Sequence, residues 1–514
     1  MRKLLVYLFI LPLFSCDDFL TVESENDVTF VNFFKTESDV ESVIINMMSV
    51  EGKLWGPAVL GQVSLLEAAA LPCDEYQDEK VRSLDPIRFM SDPMGTETWG
   101  GYYGLIGNAD VLFENAFRFE GITEKRKEFW LAQAYFMKAL AYFEIARKWG
   151  DAPISPWATA MDPIAKSPVK EVLETAIQCA EKALVLPKYD ELTDSYGDAM
   201  TSKQYASIGT VKTLLANIYA WMGGLYKEDS YWQKAEQYAS DVIEGKCGLY
   251  RLEPDIKSLK ERTLGKGRES DETIFAIEVT EKDYDYTTTV QYQLYPGILL
   301  CTYPFFDALP SAVETGFPQK ITARISVETV EEMYPEEEDV RVDSFWWNFG
   351  TQEIDTTTHE ISPWAYFNKW SEPIRSVDVK QKGLLLNVEG NKVIWRLADL
   401  KLLRAECRAR LKMPTAVEDL NDIRLRAGLE EYAGSTESEA LREEIFNERD
   451  RELFGEGQRY FDIVRNGYLK RLPEAYWSLT REDIERGALY LPVAEKAFRN
   501  NELMTQNTYW LWKK

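Results

Sequence analysis

Histidine is nearly absent from this chain: His359 is the only one in 514 residues. Zinc sites built on two or more histidines are therefore excluded, as are catalytic schemes that pair them. Cysteine is scarce too. Of 6 in all, Cys16 stands near the start, while Cys73, Cys179, Cys247, Cys301 and Cys407 are dispersed and show no C-x-x-C spacing. That scatter suits neither a disulfide scaffold nor a thiolate metal cluster, and reads as small buried apolar residues. Positive charge is also short, with 59 Lys and Arg against 85 Asp and Glu, a net charge of −26. Nucleic acid needs clustered cations to displace its counterions, so it is excluded as a partner. The many acids leave room for a structural calcium ion, but no D-x-[DN]-x-[DN]-G spacing indicates one, and no cofactor is expected. Past the first residues no apolar run is long enough to span a bilayer. What remains, 45% hydrophobic and 28% charged, is the composition of a chain that buries a core. Its length allows two or three packing units.

The N-terminus reads as a targeting segment. Arg2 and Lys3 precede an apolar run from Leu4 to Phe14 that is broken by Pro12. A membrane-spanning helix needs about 20 apolar residues, so this run is the core of a signal peptide. It ends in Leu13-Phe14-Ser15-Cys16, which resembles a bacterial lipobox. In that reading residues 1–15 are removed and the Cys16 thiol carries acyl chains. Each buried methylene contributes about 0.8 kcal/mol, so two or three chains hold a protein on a membrane without a spanning helix. The alternative is an ordinary secretory leader beside a coincidental cysteine.

Further on, helical spacing dominates. Ala132, Phe136, Ala139, Phe143 and Ala146 form a stripe within Phe129–Trp149, with alanines that let a neighbour approach closely. Gly150-Asp151-Ala152-Pro153 stops it. A second helix carries Val211, Leu214, Leu215, Ile218, Tyr219 and Met222 and is expected to end at Gly223-Gly224. A third follows with Trp232, Ala235, Ala239, Val242 and Ile243. A fourth is expected from Trp395, Ala398, Leu402, Ala405 and Ala409, and a fifth from Ala416, Leu420, Ile423 and Ala427. Paired helices of this length have the period of tetratricopeptide units without their consensus. The expected fold is mainly α, with about four tetratricopeptide-like helical hairpins and a few short strands. The scaffold is placed mainly at 30–250 and 391–470.

Residues from about 251 to 390 differ. Thr273–Val279 alternates and is rich in β-branched residues, which predicts a strand. Around it lie turn-forming clusters and many aromatics, among them Tyr295, Trp346, Trp347 and Trp364. Flat rings stack on sugars or peptide groups with little entropy lost. The plainer reading of any one ring is that it belongs to the core.

Four stretches carry a resemblance: Trp99–Asn108 with Ala109-Asp110; Ala132–Ala139 running on to Gly150-Asp151-Ala152-Pro153; Val393–Leu400 with Leu420–Gly428; and Glu448–Asp462 with Arg465 and Gly467. The ending, Leu491-Pro492-Val493 and Gln506-Asn507, agrees with them. Together they are similar to the SusD/RagB family of Bacteroidetes nutrient-binding lipoproteins. The resemblance implies helical-hairpin repeats that support an irregular, loop-rich ligand face. It also implies a lipoprotein on the outer face of the outer membrane, toward which Asp17 and Asp18 resemble an export cue. Its partner would be a SusC-like TonB-dependent transporter, to which it hands oligosaccharide or, in some members, peptide. Such proteins are not enzymes. By matching position, Trp99 and Asn108 are candidate ligand contacts. Aromatic density alone adds Tyr295, Trp346, Trp347 and Trp364.

Carboxylate chemistry still has to be weighed. Glu448, Glu452, Glu456 and Asp462 lie close together, interleaved with Arg449, Arg451, Arg459 and Arg465. Arg449 and Glu452 are three apart, as are Arg459 and Asp462, so each pair is expected to face one another on a helix. Arginine lowers a carboxylate's pKa, whereas glycoside hydrolysis needs one acid kept protonated. A structural ion-pair network is the better reading. His359, in Thr357-Thr358-His359-Glu360, lacks a nucleophile motif and reads as a loop residue. An extracellular carbohydrate-active enzyme and a surface scaffold that binds only protein remain the alternatives.

Overall fold

Helix pairs carry the architecture. Glu37–Trp55 packs with Gly100–Asn115, Glu124–Trp149 with Val169–Lys182, Ile208–Tyr226 with Asp229–Ile243, and Leu397–Arg410 with Glu418–Arg426. The computed structural model describes residues 33–55, 65–76, 84, 97–158, 162–265, 270–278, 323–370, 372–375, 385–389 and 391–511. Cys16, Tyr295 and Cys301 lie outside them. Among the described residues the chain is mainly helical with a few short strands.

The longest of these helices, Glu124–Trp149, begins where the Thr123 hydroxyl accepts the Arg126 N–H at 3.3 Å. It ends at Gly150, which has φ +75° and lies so near the Tyr490 ring that a Cβ would approach it to 2.9 Å. Backbone and space both require glycine there. The alanine–phenylalanine stripe is wholly buried, and so is most of the helix from Phe129 onward. Neighbours therefore cover it on more than one side.

Two expected boundaries are corrected. Gly223-Gly224 does not end its helix, which runs on to Tyr226. A Cβ on Gly223 would meet the Trp232 ring at 2.5 Å, and one on Gly224 would meet backbone atoms of Arg465 at 2.9 Å. The pair is a site of close approach inside the helix. Trp395 does not begin the fourth helix either. It lies in the strand Lys392–Arg396, which pairs antiparallel with Thr273–Ile277, and the helix starts at Leu397. Both strands are buried along their whole length, and periodicity cannot separate a fully buried strand from a helix.

A second, smaller core lies beneath a four-stranded antiparallel sheet ordered Glu75–Tyr76, Ala323–Ser326, Trp364–Phe367, Trp346–Trp347. Phe454 from the scaffold enters this core beside Trp346 and Phe367, at ring separations of 5.2 Å from each.

Between the scaffold and the middle of the chain lies a buried ion-pair network. Glu452 ends the helix Ser438–Glu452 and is fully enclosed. It accepts from Arg396 at 2.7 Å, from Arg341 at 3.1 Å and from Arg426. Glu456 accepts from Arg396 at 2.8 Å and from Lys369 at 2.5 Å. Arg449 donates to Asp462 at 2.8 Å and to Asp399 at 2.7 Å, Arg465 to Glu406 at 2.6 Å, and Arg459 pairs with Asp450 at 3.0 Å. The i,i+3 pairs expected from spacing, Arg449–Glu452 and Arg459–Asp462, are not the ones formed. The turn through Gly455 and Gly457 sets Arg459–Asn466 against Ser438–Glu452, so the side chains meet partners on other elements.

Burial alone would raise the pKa of Glu452, but the guanidinium groups of Arg426, Arg396 and Arg341 outweigh it and hold the carboxyl far below its usual 4.5. Glu406 is likewise raised by burial and, on balance, drawn down to about 2 by Arg465 and Arg410. Elsewhere burial pushes the Glu51 carboxyl up to about 8, against a smaller lowering by the Gln204 side chain.

Glu452→Gln leaves three guanidinium groups short of a counter-charge, so it should cost about 3–5 kcal/mol in denaturant unfolding. Because the folded pKa values of Glu452 and Glu406 are depressed, their contribution is complete above about 4.5 and is lost as pH falls toward about 2. Below pH 4.5 urea midpoints should therefore fall steadily. A flat midpoint from pH 4.5 to pH 2.5 would contradict this. Glu51 acts in the opposite sense, its contribution fading as pH rises from 4.5 through about 8, so Glu51→Gln should gain on the native chain at pH 9 and match it near pH 4.

Candidate ligand-binding face

In the sheet, Trp346 stands opposite Phe367, Trp347 opposite Tyr366, Ile325 opposite Ala365 and Ser326 opposite Trp364. Because side chains alternate along a strand, this register sorts them onto two faces. Ile325, Trp346, Ala365 and Phe367 point into the second core. Arg324, Ser326, Trp347, Trp364 and Tyr366 take the other face. There the Trp347 and Tyr366 rings meet edge to face at 6.4 Å, and the Arg324 guanidinium lies 5.6 Å from the centre of the Trp364 ring. Trp347 and Trp364 are half-buried, so part of each indole is open. Asp74 fixes the end of the central strand pair by accepting the Ser326 N–H at 2.6 Å and the Thr329 hydroxyl at 2.9 Å. The face offers apolar ring surface and a guanidinium, a combination suited to stacking and hydrogen bonding.

The other candidates sit elsewhere. Trp346 is 1% exposed and packs between Phe367 and Phe454, so it is a core residue and not a ligand contact. Register explains the correction: neighbours on a strand face opposite ways, so Trp346 and Trp347 cannot share a role. Trp99 immediately precedes the helix Gly100–Asn115 and is 8% exposed, its ring 6.0 Å from Trp149 and 5.8 Å from Tyr103. It braces the scaffold. Asn108 lies half-buried in the middle of that helix. Tyr295 is outside the described residues. The structure thus brings Trp347 and Trp364 together on one face and leaves Trp99 and Trp346 in two different cores.

Arg449, Glu452, Glu456, Arg459, Asp462 and Arg465 all make ion pairs, with Glu452, Glu456 and Asp462 enclosed and pinned by cations. Glu452 and Glu456, held below their ordinary pKa by these cations, cannot act as general acids near neutral pH. His359 sits at φ +54° in a tight hairpin, its Nδ1 3.2 Å from Glu353 Oε1 and its side chain largely in solvent. Among the described residues no group of three or more His, Cys, Asp or Glu is arranged to hold a metal ion, and no helix is long and apolar enough to cross a membrane.

Sequence reasoning missed Arg324 and the enclosed Tyr366 ring that supports Trp347. The alternation of Trp364-Ala365-Tyr366-Phe367 could have paired Trp364 with Tyr366. Nothing in the sequence placed Arg324, forty residues earlier, beside them.

Comparison with known proteins agrees with this architecture. The SusD family model matches residues 268–510. A second, described as starch-binding and associating with the outer membrane, matches residues 18–196. A SusD-like protein of Formosa agariphila is 23% identical over 91% of this chain and 90% of its own length. Another from that organism is 23% identical over 88% of each. A SusD homologue from Bacteroides thetaiotaomicron superposes with a TM-score of 0.72 at 21% identity, covering 92% of this chain and 98% of that one. The surface glycan-binding protein A of Bacteroides uniformis gives 0.67 at 21% identity, covering 92% and 100%. At such identities these structures speak for the fold, while the two family models between them span most of the sequence. The chain belongs to the SusD/RagB family.

Proposed function

We propose that this protein is a surface lipoprotein, anchored through Cys16, that captures oligosaccharide and delivers it to a SusC-like TonB-dependent transporter. The observation that carries the reading is the match of residues 18–196 to a family model described as starch-binding and associating with the outer membrane. The outward sheet face supports it, since Trp347 and Trp364 present indole surface on which a sugar ring can stack. The non-enzymatic reading is supported by the arginine-pinned carboxylates.

Protein lacking residues 1–16 can be titrated with soluble polysaccharides, oligosaccharides and peptides by tryptophan fluorescence, each mixture being checked for new reducing ends. Saturable binding to a saccharide without degradation is expected. Cleavage of any polymer would overturn the non-enzymatic assignment, and saturation by peptides alone would redirect the ligand class. Trp347→Ala and Trp364→Ala should each weaken saccharide binding by about 1 kcal/mol or more with little change in melting temperature. Trp346→Ala, which empties a core position, should instead cost about 3–5 kcal/mol of stability. Wild-type affinity in both outward variants would remove this face from the binding site.

A further inference from the structure

The sheet that carries Trp347 and Trp364 is small, with edge strands of two residues each, and it depends on its seat. One part of that seat is a buried ammonium. Lys369 lies just past the end of the strand Trp364–Phe367, and its side chain is fully enclosed. Its Nζ donates to the backbone oxygens of Glu452 at 2.9 Å and Phe454 at 3.1 Å, and to Glu456 Oε1 at 2.5 Å. All three donors of the ammonium are thereby directed at one short stretch of scaffold. The Phe345 ring, one residue before Trp346, lies 4.6 Å from the same nitrogen. The Asn368 N–H donates to Phe345 O at 2.6 Å, which joins the two strands beside the lysine.

Gly455 completes the seat. It adopts φ +79°, and a Cβ there would come within 3.0 Å of Phe367 and 3.1 Å of Trp370. The scaffold turn can therefore lie directly under the inner face of the sheet. An apolar side chain in place of Lys369 would avoid the desolvation cost of a buried cation. What the lysine supplies is direction: three fixed acceptors define where the strand sits, which packing alone leaves looser.

We propose that Lys369 is a positioning residue for the ligand face, fixing Trp364–Phe367 and, through Phe345 and Asn368, Trp346–Trp347 on the scaffold so that the outward rings are set before ligand arrives. This rests on the reading of that face as a saccharide-binding surface. Rings already held in place lose less entropy on binding, so affinity depends on the seat as well as on the rings.

Hydrogen–deuterium exchange on the unliganded protein tests the seat without any sugar. In Lys369→Met, peptides covering 323–326, 346–347 and 364–367 should exchange about tenfold faster or more, while Glu124–Trp149 and Ile208–Tyr226 keep native protection. Gly455→Ala, which pushes the sheet from the other side, should give the same pattern and serves if Lys369→Met fails to fold. Unchanged exchange in the strands, or equal acceleration in the scaffold helices, would overturn the proposal. A second readout uses the saccharide that saturates the native chain. The affinity lost in Lys369→Met should largely vanish in a Trp347→Ala, Trp364→Ala background, because the lysine acts through those rings. Additive losses would overturn it. The exchange experiment judges the seat and the titration judges the face, so the two readings fail separately.

Discussion

Glu452 is the carboxylate on which the tertiary arrangement converges. Its oxygens accept from Arg341, Arg396 and Arg426, and its backbone oxygen accepts from Lys369 and Arg396. Those partners come from the short helix Arg341–Phe345 between two strands of the four-stranded sheet, a buried strand, a scaffold helix and the segment after the sheet. One residue thus ties the paired helices to the middle of the chain. The arrangement is expensive to bury and severe to break, because removing any member strands the others without water. A network of this kind resists rearrangement more than it adds stability, and that suits a protein whose irregular part must keep one geometry.

The same logic explains why Glu452 and Glu456 are poor candidates for chemistry. A general acid in glycoside hydrolysis is kept protonated by apolar surroundings or by a neighbouring negative charge. Glu452 and Glu456 have the opposite environment, enclosed but faced by cations that hold them ionised. Their work is to orient arginines and a lysine. In the sheet, register turns Trp347 outward and Trp346 inward. One face of the sheet belongs to the core, and on the other Trp347 and Trp364 stay partly exposed beside the enclosed Tyr366 ring.

Close approach is the second theme. Gly223 and Gly224 let Trp232 and Arg465 lie against a helix interior, Gly150 makes room for Tyr490, and Gly455 admits Phe367 and Trp370. Read along the chain, the first pair looks like a helix stop, since glycine is a poor helix former. Only the neighbour that fills the missing Cβ volume shows why glycine is there.

By itself the sequence determined the class of structure and what it cannot be. A lone histidine and scattered cysteines removed whole families of sites. The spacing of Ala132, Phe136, Ala139, Phe143 and Ala146 made a helix, and Glu448–Asp462 with its neighbours identified the family. These are local or compositional features, and local features survive without three dimensions. Tertiary structure alone decided the partners. Arg449 meets Asp462 and Asp399 in place of Glu452, Trp395 joins a strand whose mate lies some 120 residues earlier, and Trp346 and Trp347 part company. Each of those outcomes depends on segments far apart in sequence coming into register. A single chain read in order carries the residue types for such contacts but not the distances that choose among them.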